Sequence, residues 1–160
     1  MERLFTPWRH AYVTSQEKKP GCVLCQALEQ ARGADSLVLH VGRSSFVLMN
    51  LFPYNAGHLM VAVKRHIPSL TAATEEELAE MMALARRAEG ILTEVYRPHG
   101  INVGMNLGRT AGAGVAEHIH LHVVPRWDGD TSFMSVVGET RVIPEEPAAA
   151  CRRLRPRFAR

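Results

Sequence analysis

The chain has 160 residues, of which 46% are hydrophobic and 22% charged, a composition typical of one compact domain and not of a string of small modules. The net charge of +3 depends on an arginine-rich end, so the remaining chain is slightly acidic and we expect no nucleic-acid partner. The first residues lack the apolar core of a secretion signal, and no stretch reaches the roughly 20 apolar residues that span a bilayer. We therefore expect a cytoplasmic protein that does not contact membranes.

Short apolar runs bounded by turn residues predict strands along most of the chain. A short helix over 23–32, which Gly33 ends, is expected before them. A longer helix is predicted from Thr74, because Thr74 and Glu77 form a capping-box pattern and apolar residues recur at helical spacing up to Pro98. The strands are expected at 37–41, 45–50, 58–63, 101–106 and 116–126.

Consecutive strands with few helices between them predict an α+β fold. We expect an antiparallel sheet of about five strands, with one long helix packed on it and a short N-terminal helix. A single domain over 1–160 is predicted, with its core at about 20–127 and an extension over 128–160. The extension ends in a basic tail, in which Leu154 and Phe158 pack inward and the arginines face solvent.

Three histidines, His118, His120 and His122, alternate in the last predicted strand. Alternate side chains of a strand share a face, so we expect the three imidazoles to project together while Ile119 and Leu121 face the core. Imidazoles titrate near pH 7 and serve in metal binding, proton transfer or nucleophilic attack. The alternative is that they are three surface side chains on a half-buried strand.

The loop Leu107–Gly114 leads directly into this strand and contains three glycines. Such a loop can bring backbone N–H groups close to an anion. Phosphate chemistry is therefore favoured over a transition metal bound by the three histidines, because one strand face presents ligands in a row and not converging on a tetrahedral ion.

Cys22 and Cys25 have the two-residue spacing of thiolates that bind one tetrahedral zinc ion. The pair is half of a metal site, and with only Cys151 elsewhere no disulfide framework is expected. The alternative is that both are small buried apolar side chains.

The run from His118 to Arg126 resembles the signature of the histidine-triad nucleotide hydrolases and transferases. Asn50, Asn55–His58 and Asn106 follow the order of that family, and the resemblance covers about residues 20–127. Segments 8–12 and 127–134 are similar to the branch that contains the bacterial diadenosine tetraphosphate phosphorylases. The resemblance implies adenine or other purine nucleotides as ligands, a homodimer, and no organic cofactor.

By this resemblance, His120 would attack the α-phosphorus and form a nucleotidyl-histidine intermediate, while His122 would help the leaving group depart. On sequence alone, His58 and Asn106 could equally be turn residues. Many family members have Ser or Thr where this chain has Val115, so backbone groups would replace that phosphate contact. The residues that the resemblance implies for substrate binding are Asn50, Leu51, Phe52, His58, Asn106, Gly114, Val115 and Ala116.

The same resemblance completes the cysteine pair and gives a structural zinc site formed by Cys22, Cys25, His66 and His118. His118 would then belong both to the triad and to the metal site. The predicted function is cleavage of dinucleoside polyphosphates of the diadenosine tetraphosphate type, by phosphorolysis or hydrolysis. The alternative is a zinc-stapled nucleotide-binding module that acts through a partner without turnover.

Overall fold

The strands of the computed structural model build one sheet. Residues 21–130 and 145–159 are described. In chain order the strands are β1 Val38–Val41, β2 Ser45–Met49, β3 Leu59–Val63, β4 Gly100–Gly104 and β5 His120–Arg126. They lie in the order β1–β2–β3–β5–β4, and every neighbouring pair is antiparallel.

The helices are α1 Val23–Glu29, α2 Glu75–Tyr96 and α3 Pro147–Phe158, with a short 3-10 turn at Leu70–Ala72. The predicted α+β class with a five-stranded antiparallel sheet is thus confirmed. The segment 8–12 and residues 131–134, which carried part of the resemblance, lie outside the described residues. Within the described residues, no helix has both the length and the apolar character needed to span a bilayer.

The register of β3 and β5 decides which side chains reach which face of the sheet. His120 lies opposite Ala62 and His122 opposite Met60, so both histidines project on one face. Ala62 and Met60 belong to a small apolar cluster on this face, against which α1 packs. Leu121 projects to the opposite face.

The main core fills the space between the sheet and the helices α2 and α3. Ile119, Leu121 and Val123 are buried there, as the alternation of the sequence predicts. Side chains from β2 and β3 join them, and both strands are buried along their whole length. The other members of this cluster include Val47, Met49, Leu59, Val61, Met81, Ala88, Leu92, Leu154 and Phe158.

The long helix α2 begins as predicted. The Thr74 side chain accepts a hydrogen bond from the backbone N–H of Glu77, and the Glu77 side chain accepts one from the backbone N–H of Thr74. The helix ends at Tyr96, and its C-cap Arg97 has a left-handed φ of 47°, directly before Pro98, which cannot continue a helix.

Glu80 of α2 stabilises the hairpin between β1 and β2. Its carboxylate accepts hydrogen bonds from the backbone N–H groups of Arg43, Ser44 and Ser45 at 2.8, 2.6 and 3.0 Å. Burial raises the pKa of Glu80, but a hydrogen bond from the Ser44 hydroxyl and these backbone hydrogen bonds outweigh it and hold the pKa at about 2. Glu80 therefore links α2 to the far edge of the sheet.

The sequence did not indicate helix α3. The burial of Leu154 and Phe158 was predicted, but the prediction of a simple tail was wrong, because residues 147–158 form a helix. Pro147 occupies its first turn, where a missing N–H costs nothing. Pro156 lies within the helix and would normally argue against one. Tertiary burial of one helix face outweighs that local penalty.

Two further boundaries differ from the prediction. Helix α1 ends at Glu29, with Gln30 as its C-cap, and not at Arg32. Strand β5 begins at His120 and not at residue 116, so His118 precedes the strand. The ladder with β3 stops at the Ala62–His120 pair. The next carbonyl of β3 accepts a hydrogen bond from the His118 side chain instead.

Candidate active site

His58 and His122 are hydrogen-bonded to each other. Nε2 of His58 lies 2.9 Å from Nδ1 of His122. His58 enters from the loop before β3 and is fully buried, while His122 projects from β5 and is half-buried. The structure therefore brings together two residues that the sequence separates by 64 positions.

A backbone group determines which nitrogens of this pair carry protons. The backbone N–H of Tyr54 donates to Nδ1 of His58 at 3.0 Å, so this nitrogen is an acceptor. The proton of neutral His58 therefore lies on Nε2 and is donated to Nδ1 of His122. His122 then carries its own proton on Nε2, and it presents a donor that can meet an anion.

His120 has the opposite arrangement. Its Nδ1 lies 2.9 Å from the backbone carbonyl of His118, and a carbonyl can only accept. Nδ1 of neutral His120 thus carries the proton, which leaves a lone pair on Nε2. The ring centroids of His120 and His122 are 4.9 Å apart, so a ring with a free lone pair lies next to a ring with an N–H donor.

His122 is neutral at physiological pH. Burial, and next the charge of protonated His120, lower its pKa from 6.5 to about 4. A neutral imidazole that donates through Nε2 can stabilise charge that develops on a phosphate oxygen, with no need for prior protonation.

Tyr54 is a site residue that the sequence analysis missed. Its ring lies 4.6 Å from the His58 ring and 5.7 Å from the His122 ring, between centroids. Together with its backbone hydrogen bond to His58, this makes Tyr54 one wall of the histidine pair. Its position four residues before His58 matches no periodic pattern, so the sequence offered no direct signal.

Of the predicted nucleotide-binding residues after β2, Asn50 lies against the same pair. Nδ2 of Asn50 lies 3.4 Å from Nδ1 of His58, and Oδ1 of Asn50 accepts the backbone N–H of Phe52 at 2.9 Å. Leu51 is 60% exposed, which is unusual for a leucine. An exposed apolar side chain beside a polar site is suited to contact with a flat base.

The glycine loop adopts backbone conformations that favour glycine. Gly108 and Gly112 have φ angles of +82° and +91°. The Asn106 side chain donates to the carbonyl of Gly112 at 3.4 Å, so Asn106 supports the loop. Gly114 is exposed and Ala116 half-buried, while Val115 packs on the cluster beneath α1. The structure therefore shows a loop-shaping contact for Asn106, and the anchor of this loop is Val115.

The four residues of the predicted metal site lie together. One ligand atom from each of Cys22, Cys25, His66 and His118 lies within 4.8 Å of all the others. Nδ1 of His118 is 3.3 Å from Sγ of Cys22 and 3.5 Å from Sγ of Cys25, and Nδ1 of His66 is 3.6 Å from Sγ of Cys25. Tetrahedral zinc with ordinary bond lengths separates sulfur and nitrogen ligands by about 3.6 Å. The donor set and its spacing fit zinc.

Hydrogen bonding also prepares His118 to bind a metal. Its Nε2–H donates to the carbonyl of Val63 at 2.7 Å, so its Nδ1 lone pair faces the two sulfur atoms. Such a bond from the second nitrogen is the usual companion of a metal-binding histidine. His118 precedes β5, and its ring contacts the cysteine pair, whereas His120 and His122 project from the strand itself.

A second polar network holds the loop that carries Tyr54 and His58. The Asn55 side chain donates to the carbonyl of Pro125 at 3.0 Å and to the Asp130 carboxylate at 2.7 Å. Arg126 binds both oxygens of Asp130 and also contacts Asn102 of β4. The hydrogen bond from Arg126 outweighs the opposing effect of burial and holds the pKa of Asp130 well below its usual range. Asp130 is therefore a structural anion.

Comparison with known proteins identifies the family. The model of the HIT domain matches residues 32–129. The chain is similar to an AP-4-A phosphorylase of Mycobacterium tuberculosis, with 41% identity over 152 residues, 91% of this chain and 78% of that protein. It is also similar to the asymmetrical bis(5'-nucleosyl)-tetraphosphatase of Schizosaccharomyces pombe, with 31% identity over 102 residues, 64% of this chain and 56% of that protein.

Solved structures agree with this similarity. A zinc-bound histidine triad family protein from Mycobacterium smegmatis has a TM-score of 0.68 and 30% identity, over 87% of this chain and 94% of that one. A histidine triad nucleotide-binding protein from Sulfolobus tokodaii has a TM-score of 0.68 at 23% identity, over 86% and 92% of the two chains, and shows the same fold. The family model spans the sheet, α2 and all three histidines, and the chain therefore belongs to the HIT-domain, or histidine-triad, family.

Proposed function

We propose that this protein cleaves dinucleoside polyphosphates of the diadenosine tetraphosphate type through a covalent nucleotidyl-His120 intermediate. The observation that carries the proposal is the pair of opposed tautomers, with a lone pair on Nε2 of His120 beside the Nε2–H of His122. The names of two relatives, an AP-4-A phosphorylase and a bis(5'-nucleosyl)-tetraphosphatase, support this substrate class.

The reaction proceeds in two displacements. Nε2 of His120 attacks the α-phosphorus, so that a P–N bond forms while the P–O bond to the leaving nucleotide breaks. The Nε2–H of His122 donates to the phosphate side of the site and stabilises the departing oxygen. A second nucleophile, phosphate or water, then attacks the same phosphorus, breaks the P–N bond and restores the His120 lone pair.

The substrate is held by residues on two sides of the histidines. In this proposal Asn50 contacts the ribose, and Leu51 and Phe52 lie beside the base. His58 supports His122 through its hydrogen bond, and Asn106 shapes the glycine loop. Backbone N–H groups at Gly114, Val115 and Ala116 meet the phosphate oxygens in place of the hydroxyl that many relatives provide.

Replacement of the nucleophile tests the proposal. We expect His120→Ala to abolish turnover of diadenosine tetraphosphate while it retains nucleotide binding, because the base and ribose contacts come from other residues. Brief exposure of the wild-type protein to labelled substrate should leave an acid-labile adduct that the variant does not form. Equal rates in the two proteins would contradict the proposal, as would binding without any product from the wild type.

The products identify the acceptor. ADP plus ATP that forms only with inorganic phosphate identifies a phosphorylase, whereas AMP plus ATP in its absence identifies a hydrolase. The 41% identity to an AP-4-A phosphorylase favours the first outcome.

The cluster of Cys22, Cys25, His66 and His118 holds a structural zinc ion in this proposal. Zinc cross-links the start of α1 to the segment before β5, and His120 stays outside the metal site. We expect about one zinc per chain in protein purified without chelator, and a Cys22→Ser variant that loses both the metal and stability. Metal-free wild-type protein, together with an unchanged melting temperature of the variant, would count against the site.

The protein forms a homodimer in this proposal, through β4. This strand lies at the outer edge of the sheet, and four of its five residues are exposed. Beside it a groove of about 610 Å³ lies between α2 and β4, and the apolar side chains Met82 and Val103 are 58% and 49% exposed there. The other outer strand, β1, is covered by α3. A second copy that pairs its β4 with this edge satisfies the backbone groups and buries both side chains.

The cytoplasmic location and the absence of a nucleic-acid partner stay predictions from the sequence.

A further inference from the structure

We infer that the cysteine–histidine cluster holds the nucleophile of the neighbouring site in its reactive tautomer, and that His118 is the positioning residue through which it acts. The inference rests on the proposed function, because it treats His120 as the nucleophile. It assigns the cluster a role in the rate of the reaction, in addition to its role in stability.

His118 belongs to both sites, through different atoms. Its ring is fully buried and lies in the cluster, with Nδ1 at 3.3 and 3.5 Å from the two sulfur atoms. Its backbone carbonyl accepts the Nδ1–H of His120 at 2.9 Å. The same residue therefore supplies a metal ligand with its side chain and, with its backbone carbonyl, the group that fixes the proton of the nucleophile.

The peptide that carries this carbonyl is positioned in part by the cluster. Residues 105–119 belong to no helix or strand of the described chain. On the His118 side, this segment is attached through the ring in the cluster, the bond from its Nε2–H to Val63, the Ile119 side chain buried in the main core, and the bond from the Ile119 N–H to the carbonyl of Ile67 at 2.8 Å. Ile67 directly follows the ligand His66, so this last attachment also depends on the cluster.

Loss of the cluster changes the chemistry of His120 for a simple reason. A neutral imidazole carries one proton, and the His118 carbonyl keeps it on Nδ1. If that carbonyl moves by about 1 Å, the hydrogen bond is lost, the proton redistributes to Nε2, and the lone pair needed for attack is no longer present in every molecule. A misplacement of this size can cost a factor of about 100 in rate.

The proposed contacts to the base and ribose are separated from this effect, whereas those of residues 114–116 to the phosphates lie nearer to it. Asn50 and His58 lie near the Leu59 end of β3, whereas Val63 and the cluster lie at its other end. His120 and His122 pair with Ala62 and Met60 between these two ends. Metal loss should therefore lower kcat by a larger factor than it changes KM.

The experiment uses the full chain, the double variant Cys22→Ser/Cys25→Ser, and Glu80→Gln as a control. Glu80 supports the hairpin of β1 and β2 and is part of neither site, so its replacement lowers stability by an unrelated route. For each protein, bound zinc, melting temperature, and kcat and KM for diadenosine tetraphosphate are measured. The His120 tautomer is read from long-range ¹H–¹⁵N NMR spectra. Wild-type protein stripped with a chelator and then reloaded with Zn²⁺ is a second, mutation-free comparison.

We expect the double variant and the stripped protein to lose zinc, to show both His120 tautomers, and to have a kcat at least about ten-fold lower, with a smaller change in KM. Zn²⁺ should restore the stripped protein, and Glu80→Gln should retain both its tautomer and its kcat. An unchanged tautomer and kcat after zinc loss overturns the inference, as does an equal fall of kcat in Glu80→Gln at similar melting temperature, or a wild-type protein that binds no zinc. If His120→Ala cleaves substrate normally, the proposed function fails, and the tautomer measurement still decides whether the cluster positions His120.

Discussion

Nε2 of His122 can donate a hydrogen bond while the ring is neutral. The chain of hydrogen bonds that fixes this state begins at the Tyr54 backbone N–H and passes through His58. Each neutral histidine in this chain has one acceptor nitrogen and one donor nitrogen, so the Tyr54 N–H sets the direction of every hydrogen bond that follows it. A peptide N–H can only donate, and the direction cannot reverse.

The low pKa of His122 predicts how stability depends on pH. Its pKa is about 4 in the folded protein, below the ordinary value of 6.5, so the unfolded chain binds more protons between these values. The contribution of His122 to stability is therefore complete above about pH 6.5 and is lost as the pH falls towards 4. We expect this loss to be about 2 kcal/mol, reduced from the full shift because the side chain is only half-buried.

Denaturant unfolding of the wild type and of His122→Gln at pH 7 and pH 4.5 measures this contribution. The difference between the two proteins isolates His122 from other groups that titrate in the same range. The wild type should lose more stability than the variant on acidification. Parallel losses would show that His122 is not held neutral by the fold.

At the scale of elements, α3 completes the core and covers one edge of the sheet. Leu154 and Phe158 are buried against the sheet and α2, and Arg155 donates to the carbonyl of Ser36. The Arg87 side chain donates to the Phe158 carbonyl at 2.9 Å, near the end of α3. The helix is thus a packed part of the domain.

The packing of α3 predicts a large difference between two substitutions on the same helix. Leu154→Ala removes a fully buried side chain and should cost about 2–5 kcal/mol of unfolding free energy. Arg152→Ala, on the exposed face of the helix, should change stability by less than about 0.5 kcal/mol. Chemical denaturation of both variants checks this. Similar small effects would mean that α3 does not contribute to the folded domain in solution.

The elements also show where sequence reasoning succeeds. Apolar alternation and turn residues located all five strands within a few residues, and the capping box located the start of α2. Helix α3 was missed because Pro156 and four arginines suppress the local signals of a buried helix, whereas its stability comes from contacts with residues more than 60 positions away. The start of β5 was misplaced because a side chain of His118 takes the carbonyl of Val63, and periodicity does not register such a contact.

At the scale of the whole molecule, the proposed dimer predicts opposite results for substitutions in the two outer strands of the sheet. Val103 of β4 and Val41 of β1 are similarly exposed, at 49% and 44%. Val103→Lys should convert the dimer to a monomer, since a charge would enter the proposed interface, whereas Val41→Lys should leave the dimer intact. Sedimentation velocity of the two variants distinguishes them. A wild-type monomer, or a dimer broken only by Val41→Lys, would contradict the proposed interface.

The candidate site was only partly predictable from the sequence, because several of its contacts arise only in the folded chain. Residue types and spacing were sufficient to indicate the histidines, the cysteine pair and the phosphate loop, and the resemblance added His66, whose place in the cluster depends on the fold. Tyr54 and Asp130 were not identified, because their roles arise from contacts across the sheet. The proton positions of His58, His118 and His120 were also outside the reach of sequence, since each is set by a backbone group.

The backbone origin of these hydrogen bonds has a consequence for the evolution of the family. The groups that orient the nucleophile and its donor are the His118 carbonyl and the Tyr54 N–H, and side-chain mutation does not delete a peptide group. Exposed side chains around the site, such as Leu51 and Leu107, are free to diverge while the reactive geometry persists. Substitution of these exposed side chains can thus change which base, leaving group or acceptor is bound, while the histidines keep the same arrangement.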